Sequence, residues 1–166
     1  MLKKSFVALV GIIGFGFSTG LAHAAPVPAF KLKTLEGRTL TDRSLRGKVV
    51  VLDFWATWCS PCRAVSKIMQ KVHETYAKQG VQVICVDVKE TGPSLAAVKR
   101  YIATHHYTYP FSVENASLDQ TMNVTELPTV IVVDRKGGIQ YRATGYHAES
   151  TANDIDAGIK KALSIR

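Results

Sequence analysis

Cys59 and Cys62 stand two residues apart in the run Asp53-Phe54-Trp55-Ala56-Thr57-Trp58-Cys59-Ser60-Pro61-Cys62-Arg63. Two thiols at this spacing can close a small ring with each other. Alternatively, one attacks a foreign disulfide and the other displaces the captured partner. An apolar run ends at Phe54, and helical spacing follows from the first cysteine, which predicts a dithiol at a helix start. Unpaired amide N–H groups and the positive end of the helix macrodipole favour an anion there. A thiol that ionises near pH ~8.5 in isolation should therefore ionise more readily. On this reading Cys59 is the attacking thiolate and Cys62 the resolving thiol. The alternative is a purely structural disulfide, but closing so short a loop stabilises a chain little. Pro61 has no N–H to leave unpaired and suits a first helical turn.

Other residues around the pair are weighed by type and position. Trp58 is expected to form an apolar lip for partner peptides, whereas Trp55 can equally belong to the core. Asp53 lies among Val51, Leu52 and Phe54, so its carboxyl is expected to be desolvated, with a raised pKa. The third cysteine, Cys85, falls in a second apolar run and reads as a small core residue. His73, His105, His106 and His147 read as surface residues, and His105-His106 lacks the spacing of a closed zinc site. No metal or bound cofactor is expected. Copper delivery by the same two thiols remains an alternative of a different class.

The elements that would position these residues follow from periodicity. Residues 48–54 form a continuous apolar strand suited to burial on both faces, and 81–88 form another. Between them, Val65, Ile68, Met69, Val72 and Tyr76 recur at helical spacing over 61–79, with Gly80 as a stop. Ahead of them, residues 30–35 and 38–41 straddle Glu36-Gly37 as a small hairpin, and 42–45 suit one helical turn. Downstream, Ser94 can cap a helix with Leu95, Val98 and Ile102 inward. Residues 111–113 suit a short strand and 118–122 a short helix. Residues 129–134 and 139–144 form a hairpin around a Gly-rich turn. A last helix begins near Thr151, with Asp154 completing a capping box and Ile155, Ile159 and Leu163 facing inward. The pattern is α/β, with a central mixed sheet flanked by helices and an N-terminal β extension.

The chain has 166 residues, 46% of them hydrophobic, which suits one domain with a proper core. Lys3-Lys4, an apolar run over 6–17 and Ala22-His23-Ala24 read as a secretory leader over 1–24, with the domain over 25–166. An uncleaved membrane anchor is the alternative; the run is short and interrupted by Gly11, Gly14 and Gly16. Export would expose the thiols to oxidising surroundings where disulfides persist. The formal charge of +8 becomes +6 without the leader lysines, and it is scattered through residues such as Lys31, Arg38 and Lys48. Scattered charge does not support nucleic-acid binding. Nothing in the sequence sets an oligomeric state.

The motif at residues 54–63 resembles the signature of the exported TlpA/ResA-type branch of the thioredoxin fold. So do Ser44-Leu45-Arg46-Gly47-Lys48-Val49-Val50-Val51 and Leu127-Pro128-Thr129, in the same order and over most of the chain from Phe30 on. The resemblance implies a periplasmic thiol-disulfide oxidoreductase, most simply a reductase of exported proteins such as apocytochrome c, supplied by a membrane thiol donor. A dithiol oxidase is the alternative within the same chemistry. The resemblance further implies a cis Pro128 facing the dithiol, Leu127 offering main-chain hydrogen bonds to substrate, and Asp53 passing a proton near Cys62. It also suggests Glu90 as an acid near the site, although loops commonly carry such residues. Three features depart from the branch. Ala64-Val65-Ser66-Lys67 replaces its usual Glu and Pro, Asp53 stands where many members have Asn, and Ser60-Pro61 matches neither common dipeptide.

Overall fold

The computed structural model describes residues 24–88, 94–112 and 118–165. The apolar run becomes strand β3 (Val49–Trp55), with every residue buried. Because it reads VVVLDFW without alternation, it can lie only where both faces are covered, and it takes the middle of a five-stranded sheet. β4 (Val81–Asp87) pairs with it in parallel, and β6 (Thr129–Val133) pairs antiparallel on its other side. β5 (Phe111–Ser112) and β7 (Ile139–Thr144) complete the order β5-β4-β3-β6-β7.

The chain crosses from β3 to β4 through α1 (Cys62–Tyr76) and a 3-10 turn, Ala77–Gln79. Val65, Met69, Val72 and Tyr76 bury one stripe of α1 against the sheet, and Gly80 ends the turn at φ +83°, a conformation that favours glycine. α2 (Ser94–His105) and α4 (Thr151–Ser164) join α1 in covering this face. The opposite face is covered by Val27, Phe30, Leu45 and the hairpin of β1 (Lys31–Lys33) and β2 (Thr39–Thr41), together with α3 (Leu118–Thr121). This is the expected mixed sheet with an N-terminal β extension. The hairpin also guards a sheet edge: Leu35 N–H donates to Phe111 C=O at 2.9 Å, and Ser112 Oγ to Lys33 C=O at 2.8 Å.

Four local expectations change. α1 begins at Cys62, not at Cys59. Residues 57–61 turn first, in keeping with the way proline disfavours helical geometry in the residue before it, and Pro61 is the N-cap. Residues 42–45 form hydrogen-bonded turns rather than a helical element, with Leu45 N–H reaching Thr41 C=O at 3.2 Å. α2 meets the core through Val98, with Tyr101 and Ile102 packed in part, while Leu95 stays 42% exposed. The capping box at α4 does not form, because Thr151 Oγ1 instead accepts the His147 N–H at 2.8 Å.

α4 lies so close to β7 that a Cβ on Gly158 would sit 2.6 Å from Tyr141 Cβ. Gly158→Ala is therefore expected to destabilise the fold by about 1–3 kcal/mol despite the better helix propensity of alanine. Urea unfolding checks this, with Ala157 as an adjacent position on the same helix for comparison.

Candidate active site

β3 delivers the chain to the site at Trp55. Residues 57–61 turn, the Cys59 N–H donates to Ala56 C=O at 3.1 Å, and the helix starts. Arg63 and Ala64 N–H groups close short bonds onto Ser60 (3.2 Å) and Pro61 (3.1 Å). Cys59 and Cys62 are joined in a disulfide with Cα atoms 5.3 Å apart. The two sulfurs' residues differ in access: Cys59 retains 4% exposure and Cys62 none. Trp58 is 58% exposed beside them, with Ser60 and Pro61 also at the surface.

The Leu127–Pro128 peptide bond is cis. β6 is in register with β3 through Phe54 opposite Thr129, so Pro128 lies one step beyond, at the end of β3 that leads into the cysteine loop. Pro128 is buried and Leu127 half-buried. Two bonds tie down the preceding segment: Arg142 Nη1 donates to Met122 C=O at 2.7 Å, and Nη2 to Asn123 C=O at 2.5 Å. Arg142→Ala is expected to lower stability by about 1–2 kcal/mol, read by urea unfolding, since charged donors to carbonyls are worth more than neutral ones.

Asp53 is fully buried, and the pleat places it on the same face as Val51 and Trp55, which pack with Cys59 and Cys62. Burial pushes its pKa up to about 7, and a hydrogen bond from Cys85 partly offsets that rise. The Cys85 thiol lies 3.9 Å from Asp53 Oδ2, while Oδ1 has no hydrogen-bond partner among the described residues. Cys85 is buried, as its position in β4 predicted; burial and the neighbouring Asp53 push its thiol well above the ordinary range. Glu90 lies outside the described residues.

Trp55 belongs to the core, stacked obliquely on Tyr101 (centroids 4.9 Å) and edge-on to Phe111 (5.6 Å). Tyr107 and Tyr109 extend this aromatic cluster, which the sequence reading missed. The density of rings in Tyr107-Thr108-Tyr109-Pro110-Phe111 was the available signal. Tyr109 also reaches α1: its hydroxyl donates to Ser66 C=O at 3.3 Å, and the Ser66 hydroxyl donates to Cys62 C=O at 3.1 Å. Thus the stretch that departs from the branch pattern carries a serine bonded back one turn, onto the carbonyl of the second cysteine. Of the histidines read as surface residues, His105, His106 and His147 are exposed and His73 is half-buried.

A disulfide between two closely spaced cysteines, set where a central strand gives way to a helix on this fold, defines a thioredoxin-like thiol-disulfide oxidoreductase. The chain belongs to the Redoxin family, which matches residues 22–159. It is 32% identical to the thioredoxin-like protein YneN of Bacillus subtilis (strain 168), over 84% of this chain and 89% of that one. It is 34% identical to the thiol-disulfide oxidoreductase ResA of Geobacillus kaustophilus (strain HTA426), over 94% and 92% of the two chains. Among solved structures, a thiol:disulfide interchange protein of the thioredoxin family from Chlorobium tepidum TLS superposes with a TM-score of 0.73. That chain is 31% identical, and the match covers 86% of this chain and 98% of that one.

Proposed function

We propose that this protein is an exported reductase of protein disulfides, working in the periplasm, with Cys59 as nucleophile and Cys62 as resolving thiol. The observation that carries this reading is the asymmetry of access: Cys59 keeps a sliver of surface beside exposed Trp58, and Cys62 has none. An incoming disulfide can therefore be approached only from the Cys59 side. The Cys59 thiolate attacks one substrate sulfur, forming a mixed disulfide and releasing the other as a thiolate that takes up a proton. Cys62 then loses its proton, attacks Cys59 Sγ and closes the internal disulfide, releasing the second substrate thiolate. Two electrons pass to the client, and no bound cofactor is needed.

Asp53, on the Cys62 side of β3, serves as the group that accepts the resolving proton. Trp58 and Pro61 form one rim of the client groove, and Leu127 and Pro128 form the other, with the Leu127 main chain pairing to an extended peptide. A role for Glu90 beside these residues follows from the branch resemblance alone. The clients are cysteine-containing exported proteins, including apocytochrome c before haem attachment, and a membrane thiol protein restores the dithiol. Support for export lies in the leader-like residues 1–24. Among the described residues no helix is long and apolar enough to cross a membrane.

Redox titration of the Cys59–Cys62 pair in glutathione buffers, together with trapping by Cys62→Ala in cells, tests the proposal. A reducing couple that captures apocytochrome c is expected; about 30 mV in potential corresponds to roughly 1.4 kcal/mol. An oxidising couple that captures newly exported proteins at large would assign disulfide insertion instead. Tight Cu(I) binding without exchange activity would assign metal delivery.

A further inference from the structure

The fully buried acid of β3 is held by a thiol rather than by a cation. In the parallel pairing of β3 with β4, Asp53 stands in register with Cys85, and both are wholly inaccessible to solvent. The Cys85 S–H is directed at Asp53 Oδ2 across 3.9 Å. Sulfur donors bond at longer range than oxygen or nitrogen, so this is a weak hydrogen bond. Among the described residues Oδ1 is buried without a partner, which costs its desolvation. Among the described residues no lysine, arginine or histidine pairs with Asp53. The groups that act on it are Cys85 from β4 and Tyr107 and Tyr109 from the segment entering β5, with apolar Val130 opposite it on β6; Asp87, further along β4, acts on Cys85, and Cys62 from α1 belongs to the core cluster on the same face of β3.

We propose that Cys85 is a positioning residue: its S–H occupies Asp53 Oδ2, so that Oδ1 is the oxygen that carries the proton exchanged with Cys62. This rests on the reading of Asp53 given under Proposed function. Cys85 itself undergoes no bond change. Its burial keeps it a thiol through neutral pH, so it is always a donor and never a competing nucleophile. In the resolving step the Cys62 S–H bond breaks, Asp53 Oδ1 gains the proton, and the Cys62 sulfur forms its bond to Cys59 as the substrate thiolate leaves. The proton on Oδ1 passes to solvent after client release. A donor on Oδ2 favours the ionised acid and keeps the base competent nearer neutrality than burial alone would.

The test is the acidic limb of the pH–rate profile for disulfide reduction. Cys85→Ala and the bulkier Cys85→Val, both without a donor, should move that limb upward by about half to one pH unit and slow turnover about two- to fivefold near neutrality. Cys85→Ser, which keeps a donor, should restore the wild-type limb. If all three variants share the wild-type limb while Asp53→Asn abolishes it, Cys85 has no such role and the reading of Asp53 stands. If Asp53→Asn leaves the limb in place, the reading of Asp53 fails, and this proposal fails with it. A measurement on the unaltered protein is independent of folding in the variants. In the oxidised form Cys85 is the only thiol, so its infrared S–H band should shift as pH crosses about 7 and Asp53 ionises. A band indifferent to pH would overturn the proposal.

Discussion

Replacing Cys59 by alanine should reduce disulfide exchange by more than about a thousandfold, to the background rate of the free reductant, with the fold intact. The expectation comes from access rather than from sulfur count. Cys62 and Cys85 remain in that variant, but both are sealed from solvent, so neither can substitute as the first nucleophile. Cys62→Ala should behave differently. It retains the attacking sulfur, so it should complete the first step, stall, and accumulate mixed disulfides that dithiothreitol releases. Insulin reduction measures the loss, and non-reducing electrophoresis measures the stall. Equal loss without trapped adducts in both variants would contradict the assigned order of the two sulfurs.

The second large effect is on stability. Asp53 has an ordinary pKa of 3.8 when unfolded and about 7 when buried, so between these values the native protein holds more protons than the unfolded chain. Stability must then fall as pH rises through that window, because the slope follows the difference in bound protons between unfolded and native states. The shift corresponds to about 4 kcal/mol in total, of which about 3 kcal/mol falls between about pH 5 and about pH 8. Asp53→Asn carries no charge at any of these values. The stability difference between variant and wild type should therefore grow in favour of the variant by about 3 kcal/mol over the same range, as read by urea unfolding. Turnover should fall about tenfold near neutrality in the same variant, because the resolving proton loses its acceptor. A gain in stability paired with a loss of activity is the pattern expected of a residue kept for chemistry at the expense of the fold.

The parts of this molecule that could be read from sequence are those fixed locally. β3 was legible because seven apolar-dominated residues without alternation leave no exposed face, and α1 because Val65, Met69, Val72 and Tyr76 repeat at its period. The hairpins at Glu36-Gly37 and at 135–138 were legible from their turn residues. The periodic stripe over 61–79 came within one residue of the start of α1 at Cys62, but placing the helix start at Cys59 itself was three residues early, because an amphipathic stripe says nothing about the turn over 57–61 that precedes it. The partner of Asp53 could not be read at all. Cys85 is 32 residues away, and only the register of two parallel strands brings the pair together. The same holds for Tyr109 and Ser66, which meet across 43 residues. The Leu127–Pro128 geometry was inferred from the branch resemblance, since proline and its neighbours look alike in sequence whether the bond is cis or trans.

The most direct test of the account is selective alkylation of the reduced protein with iodoacetamide at neutral pH, mapped residue by residue by peptide mass spectrometry. Cys59 should be modified first and almost completely, while Cys62 and Cys85 stay protected until the protein is unfolded in urea. Modification of Cys62 ahead of Cys59, or protection of all three thiols alike, would contradict the assignment of Cys59 as the sulfur that meets the client.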